Sequence, residues 1–336
     1  MRADRILLAH GSGGTMMREL IEELIVTEFD DDALKRLDDA ASLPFPTGRL
    51  AFSTDTYVVN PIFFPGGDIG RLAICGTVND VATSGATPLY ISVGFVLEEG
   101  FPVEDLRRVL ISMREAAREA GVHIVTGDTK VVEKGHGDGI FINTAGVGSL
   151  PEDIDLSGSY CKPGDKVLVS GTLGDHGIAI VSTREGLEFE TSIQTDAAPL
   201  NALIANVLAA APGTRGFRDP TRGGLSSTLN EFAAASKLSI TVEETAVPVK
   251  PQVRGASEML GYDVFQVANE GKMVAVVPAE QAEAALAAMK ASPYGEGAAI
   301  IGECAEGSSG RVYVHTAFGA TRIMDMLVGE QLPRIC

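Results

Sequence analysis

Hydrophobic positions change period several times along the chain, and each change marks an expected element. Residues 5–10 form a short apolar run that stops at Gly11-Ser12-Gly13-Gly14. Met17, Leu20, Ile21, Leu24 and Ile25 then recur at helical spacing, which predicts strand, glycine loop, helix. Residues 49–55 read as a strand ending on a carboxylate. Over 69–84, Leu72, Ile74, Cys75, Val78, Val81 and Ala82 define a helix that carries Asn79-Asp80 and stops at Gly85, with Pro88 beyond. Residues 89–97 predict a strand and 103–120 an amphipathic helix closed by Gly121. A strand over 123–132, interrupted by Thr126-Gly127-Asp128-Thr129-Lys130, and one over 140–147 complete the first half.

After a turn at 161–165, a strand over 166–170 runs into 171–177, GTLGDHG. Helices are expected over 197–210, 225–236 and 280–291. Strands are expected over 239–249, 264–269, 272–277, 298–303 and 311–315, with Glu270-Gly271 as a tight turn that lets 272–277 pair with the strand before it. Strands and helices alternate irregularly, so the expected class is α+β, in two α/β-type domains, and not a doubly wound parallel sheet. A length of 336 residues favours two domains. We divide the chain into 1–155, 156–328 and a tail, 329–336.

Composition narrows the partners. A net charge of −18 argues against nucleic acid and anionic membrane, and means that a phosphate ligand would need a cation beside it. Cys75, Cys161, Cys304 and Cys336 form no CxxC pair and have no histidine at ligand spacing, so neither a disulfide framework nor a zinc site is expected. No signal-peptide pattern occurs, and nowhere do about 18 apolar residues follow one another, which points to a reduced, cytoplasmic protein. Cys336 is the final residue. Pro333 disfavours helix for itself and Leu332, so an extended tail could span roughly 25 Å and carry the thiol to another part of the molecule or to a partner. Arg334 lowers the thiol pKa and the terminal carboxylate raises it, with the net sign open. The alternative is a frayed end that happens to finish in cysteine.

The HGSGG loop is either a tight turn or a phosphate cradle, since it matches neither GxxxxGK[ST] nor GxGxxG. Asp55, Asp80, Asp128 and Asp219 each lie among small or glycine residues near the end of an element. Singly they read as caps; together they suggest carboxylates holding Mg²⁺ on a nucleotide's phosphates. Without a cation, each Asp about 4 Å from a phosphate charge would repel it by ~4 kcal/mol at an effective dielectric near 20. Lys130 is either a phosphate contact or a solvated strand-end lysine. Glu270 is either a general base of raised pKa or a turn glutamate. His10 and His176 read as structural.

Taken in order, HGSGG (10–14), VNDVATSGATP (78–88), TGDTKVV (126–132), SGTLGDHG (170–177), DPTRGG (219–224), ANEGK (268–272) and PRIC (333–336) resemble the hydrogenase maturation HypE family. That family sits within the ATP-binding group of aminoimidazole ribonucleotide synthetase, selenophosphate synthetase and thiamine-monophosphate kinase. The resemblance covers nearly the whole chain and departs at Ser226-Ser227, where an alanine is expected in place of one serine. It implies a homodimer whose N-terminal sheets close into a barrel across the interface. It also implies ATP and Mg²⁺ as cofactors, and a carbamoyltransferase, HypF, that loads a carbamoyl group onto the Cys336 thiol. The group is then dehydrated to an S-cyanide and passed toward iron on a HypC–HypD complex. By motif position, Gly11, Gly13, Gly14, Asn79, Asp80, Asp128 and Thr129 carry over as nucleotide-binding residues and Asp55, Asp80, Asp128 and Asp219 as metal carboxylates. Cys336, Glu270 and Lys130 carry over as the reacting set. Two other readings stay open: an enzyme of the same group acting on a free small molecule, and a non-catalytic thiol carrier or scaffold.

Overall fold

This computed structural model describes residues 4–12, 15–37, 41, 43–186, 193–307, 310–326, 332 and 334–336. The expected strand at 5–10 is an isolated bridge from Arg5 to Pro102 followed by a 3₁₀ turn, Leu8–Gly11. His10 Nδ1 accepts the Leu7 N–H at 2.9 Å, which closes the backbone locally instead of leaving it to pair. Helix α1 (Thr15–Leu20) continues through a π-helical turn, Ile21–Val26, into α2 (Thr27–Phe29), and α3 (Asp32–Lys35) follows.

Next come β1 (Arg49–Tyr57) and a small hairpin, β2 (Phe63–Phe64) and β3 (Gly67–Asp68). Helix α4 (Ile69–Thr83) starts where the Asp68 carboxylate accepts the N–H groups of Gly70 and Arg71, satisfying two of the free donors of its first turn. Then β4 (Thr87–Glu98) leads to α5 (Val103–Ala120), whose apolar stripe is buried and which ends at Gly121 in the left-handed conformation. Strands β5 (His123–Val132) and β6 (Ile140–Leu150) complete a sheet of order β1-β6-β4-β5, with only β4 and β5 parallel. β5 is continuous: the interruption expected at 126–130 reduces to a one-residue register shift opposite Ile91/Ser92. One face of the sheet packs Ile91, Val93, Phe95 and Ile142 against Leu72, Leu106 and Leu110 of the two helices. The other face leaves Phe52 and Leu50 exposed, and among the described residues no closed barrel forms within the chain.

The second region contains β7 (Lys166–Val169), α6 (Asp175–Arg184), α7 (Asn201–Ala210), β8 (Gly216–Arg218), α8 (Gly224–Ser236), β9 (Ser239–Glu243) and α9 (Pro251–Leu260). β10 (Val274–Val277), α10 (Ala282–Lys290), β11 (Ala299–Ala305), β12 (Val312–His315) and β13 (Thr321–Ile323) follow. The sheet runs β13-β12-β9-β11-β7-β10-β8, antiparallel except between β9 and β12, so the α+β expectation holds for its topology. Two expectations are corrected. Residues 264–269 do not form a strand, because Asp263 caps a 3₁₀ turn, Val264–Gln266, by accepting the Phe265 N–H. β10 therefore pairs with β7 and β8. The strand from 239 ends at Glu243, where another 3₁₀ turn begins. At the expected departure, Ser226 donates from Oγ to the Asp325 carbonyl at 2.6 Å.

Candidate active site

Strand alternation on β1 turns Ser53, Asp55 and Tyr57 toward α4, which carries Asp80. Ser53 Oγ donates to Asp80 Oδ2 at 2.9 Å. Asp219 comes in from the end of β8, because Asn269 donates from both its backbone N–H and its side-chain amide to the Pro220 carbonyl and ties that turn beside Glu270. Asn269 Oδ1 also accepts the Gly174 N–H at 2.7 Å, adding the start of α6 to the same junction.

The Glu270 backbone is fixed by its own N–H, which donates to Asp196 Oδ1 at 3.0 Å. Asp196 also pairs with Lys272 at 3.1 Å, both side chains being buried. The turn passes so close to that segment that a Cβ on Gly271 would lie 1.7 Å from the Asp196 carbonyl, so glycine is required there. Asn79 is buried and engaged with backbone: it accepts the Leu200 N–H at 2.7 Å and donates to the Ala198 carbonyl at 3.0 Å, which joins α4 to the second region.

Asp55, Asp80, Asp219 and Glu270 therefore share one low-dielectric space. Burial first, then the charges of Asp219 and Asp55, push the Asp80 carboxyl up to about 7, against a hydrogen bond from Ser53. Burial raises Asp219 as well. Glu270 stands well above the ordinary glutamate range, by burial and then by Asp219, Asp196, Asp55 and Asp80, and its Oε1 is buried with no hydrogen-bond partner. Asp196 is the exception. Burial works against its ionised form, but the charge of Lys272 and the hydrogen bonds from Lys272 and the Glu270 N–H outweigh it and hold the carboxyl low.

The chain terminus enters this space. Val58 N–H donates to the main-chain oxygen of Cys336 at 3.0 Å and Asn60 N–H to the Arg334 carbonyl at 3.3 Å, so the tail extends the line of the chain after β1. Arg334 donates from Nε to the Val58 carbonyl at 2.9 Å and pairs with Asp138. Ile335 is buried, and Leu332 and Cys336 pack against the first core. At its described residues the tail lies docked against the first core; 329–331 and 333 lie outside them. The sign left open for the Cys336 thiol is resolved: burial first, then Glu270, raise it to about 12, against Arg222.

The remaining expected residues lie elsewhere. On β5, Asp128 and Lys130 pair at 2.7 Å on the open face of the sheet, opposite the side that carries Asp55. The register Asp128, Gly94, Asn143, Thr56 puts three strand spacings, about 14 Å, between Asp128 and β1. Thr129 is buried on the inner side. Gly11 abuts this strand, with a Cβ there lying 2.8 Å from Val131; Gly13 and Gly14 lie outside the described residues. The structure thus gathers Asp55, Asp80, Asp219, Glu270 and Cys336 at one pole, and Gly11, Asp128 and Lys130 at another. Among the described residues, no three His, Cys, Asp or Glu side chains converge as metal ligands. The first pole nevertheless suits a cation by charge, since carboxylates that raise one another's pKa are the ones a divalent ion would relieve.

Sequence reasoning overlooked Asp196, Lys272 and the contact of His176 with the tail. Lys272 lies within ANEGK and His176 within GDHG, so both had a local signal; Asp196 had none.

Residues 37–150 match the N-terminal domain of AIR synthase related proteins and residues 162–315 match their C-terminal domain. Carbamoyl dehydratase HypE of Cupriavidus necator is 53% identical over 337 residues, covering 100% of this chain and 96% of that protein. A crystal structure of hydrogenase maturation protein HypE in complex with ATP superposes with a TM-score of 0.95 at 50% identity, covering 98% of this chain and 99% of that one. A HypE–HypF complex gives a TM-score of 0.81 at 49% identity, covering 92% and 99%. With both halves matched in order and half the residues identical from end to end, the chain belongs to the carbamoyl dehydratase HypE family of hydrogenase maturation proteins.

Proposed function

We propose that this protein dehydrates a carbamoyl group carried on the Cys336 thiol to a thiocyanate, at the expense of ATP, and so supplies a cyanide ligand for hydrogenase maturation. The observation that carries this reading is the docked terminus: the half-buried Cys336 thiol, anchored by buried Ile335, beside a glutamate whose buried Oε1 has no hydrogen-bond partner. With its thiol pKa at about 12, the pocket disfavours a thiolate, and an S-carboxamide, which is neutral, suits it better. The tail is therefore loaded outside the pocket and processed inside it.

The chemistry divides simply. ATP, when bound, supplies the phosphoryl group that turns the amide oxygen into a leaving group. Glu270 takes a proton from the amide nitrogen; burial and the neighbouring carboxylates make its ionised form strongly basic, and its Oε1 is free to accept. Asp196 and Lys272 keep its backbone in place. The closed, apolar surroundings of Ile335 and Leu332 keep water from the activated carbon. Asp55, Asp80 and Asp219 would hold Mg²⁺, and Gly11, Gly13, Gly14, Asp128, Thr129 and Lys130 would serve the nucleotide. Residues 1–155 form the ATP and dimerisation part, 156–328 the second domain and 329–336 the substrate-bearing tail.

HypF is the proposed carbamoyl donor, because a related HypE has been solved bound to it; a HypC–HypD complex is the proposed acceptor. The open sheet face, where Phe52 is 64% exposed beside a hollow of about 470 Å³ lined by Phe45, Tyr90 and Val147, supports a homodimer closing there into a barrel. A cytoplasmic location fits the free cysteines, and no helix among the described residues is long and apolar enough to cross a membrane.

Intact mass after incubation with HypF and carbamoyl phosphate tests the proposal, with a Cys336→Ala control. A gain of one carbamoyl group, then loss of one water only with MgATP, is the expected result. An unchanged mass, or the same change in the control, rejects Cys336 as the substrate and favours a free small molecule.

A further inference from the structure

Three consecutive main-chain oxygens of the tail are each taken by a different donor. The Arg334 oxygen accepts from Arg184 Nη2 at 3.0 Å as well as from Asn60, the Cys336 oxygen accepts from Val58, and the Ile335 oxygen lies 2.8 Å from His176 Nε2. A carbonyl can only accept, so His176 carries its proton on Nε2 and presents a lone pair at Nδ1. That lone pair is met by the Thr195 hydroxyl at 2.7 Å, and Thr195 Oγ1 in turn accepts the Ala197 N–H at 3.1 Å. The relay runs one way, from a backbone amide packed in the first core, through Thr195 and the imidazole, to the tail. Phe64 sits edge-on to the ring, with centroids 5.6 Å apart. Burial lowers the His176 pKa, against Asp196 and the Ile335 carbonyl, which favours the neutral ring that this relay requires.

We infer that His176 is a positioning residue that fixes the register of the docked tail through the Ile335 carbonyl, so that the group on Cys336 arrives at Glu270. The inference rests on the reading that Cys336 carries the reacting group. A slip of one residue would move the terminus by about 3.3 Å, take Ile335 out of its buried site and put a different residue where Arg334 adopts its left-handed backbone, φ 51°. Only the interaction at Ile335 comes from a side chain that is itself fully buried and held by a second partner. The donors read main chain, so the tail is recognised by its path, with Ile335, the one buried side chain among the tail's described residues, checking it.

The test compares full-length His176→Leu and His176→Gln. Three readouts apply: the rate at which iodoacetamide alkylates Cys336, amide exchange at Val58 and Asn60, and the single-turnover loss of water from the carbamoylated tail. His176→Leu leaves a buried carbonyl without a donor, so alkylation rises by about 5- to 100-fold and both amides lose protection. Dehydration slows while half-saturation by ATP stays unchanged. His176→Gln, which keeps an N–H donor, recovers most of the effect; a merely structural role would not be rescued in this way. Wild-type alkylation and protection in His176→Leu, or a glutamine variant as impaired as leucine, overturns the assignment. If His176→Leu does not fold, Thr195→Val removes the hydroxyl that sets the tautomer, and the same criteria apply. Should the wild type lose no water, the dehydratase reading fails, but alkylation and exchange still judge the clasp.

Discussion

Asp80 and Asp128 look alike in sequence, both amid small residues beside a glycine-bearing segment, yet they ionise in opposite directions. Asp80 faces the space shared with Asp55, Asp219 and Glu270, and burial with like charge raises it to about 7. Asp128 stands on the open face of the first sheet, where Lys130 holds its carboxyl low. One pole is stressed and closed by the terminus; the other is relaxed and open. In the closed pole a lost proton costs energy until a cation or substrate enters, which is a property of a reaction site. In the open pole the charges are already balanced and remain in solvent, which suits a surface that waits for a ligand or a second copy.

The sharpest break in this comparison is Glu270→Gln. The amide keeps the volume of the side chain but cannot take a proton, so dehydration of the carbamoylated tail falls by about 10²- to 10⁴-fold, while loading by HypF is unaffected. Quench-flow with mass detection separates the two. A variant that dehydrates within a few-fold of wild type would move the base elsewhere in the closed pole, with Asp219, whose charge acts most strongly on Glu270, the next candidate.

Much of this contrast was hidden in the sequence for physical reasons. The 103–120 helix was legible because one stripe is apolar and Gly121 stops it. Helix α6 was not, since residues 175–182 are buried on every side and carry no stripe. The acidic motifs marked where carboxylates would collect. Strand order and strand parity together separate Asp128 from Asp55, and the parity depends on a register shift at Ile91/Ser92 which no local pattern reports. The tail gave away its thiol and its Pro333 but not its docking. Its path is read through carbonyls, which every residue has, and so leaves little side-chain signature.

Asp80→Asn is next in size. The native pKa, near 7, exceeds the unfolded value of about 3.9, so the native state binds this proton more tightly. The corresponding stability is fully present below about pH 4 and is lost as pH rises through 7. Above pH 7 the ionised carboxylate therefore costs up to about 4 kcal/mol, which the asparagine variant avoids. In chelator, thermal melts should show Asp80→Asn more stable than wild type at pH 8, with the gap closing by pH 4. Mg²⁺ should narrow the gap by stabilising the wild type, and a gap independent of pH would mean that the repulsion is not there.

Gly177→Ala tests the docking surface of the closed pole. The added Cβ would lie 2.4 Å from Val267 Cγ1 and 3.1 Å from Leu332 Cδ1 of the tail. Repacking should cost about 1–3 kcal/mol in chemical denaturation. Part of the clash can be relieved by releasing the tail, so Cys336 should also become easier to alkylate. Lost stability with a fully protected thiol would show that the strain falls on Val267 alone.

Lys130→Ala should have the smallest effect on folding and sharpens the comparison from the open side. Both members of its ion pair with Asp128 are 62% exposed, so solvent screens the pair and its removal should change stability by no more than about 0.5 kcal/mol. The informative quantity is ATP half-saturation in single-turnover dehydration. If the open pole serves the nucleotide, removing Lys130 deprives a phosphate of a charge-assisted hydrogen bond, worth about 1.5–3 kcal/mol, and half-saturation rises by about 10-fold or more without a shift in melting temperature. A variant unchanged in both measurements makes Lys130 a solvated strand residue. The nucleotide's contacts would then have to be sought at the closed pole, and the division of labour between the two faces of the sheet would fail.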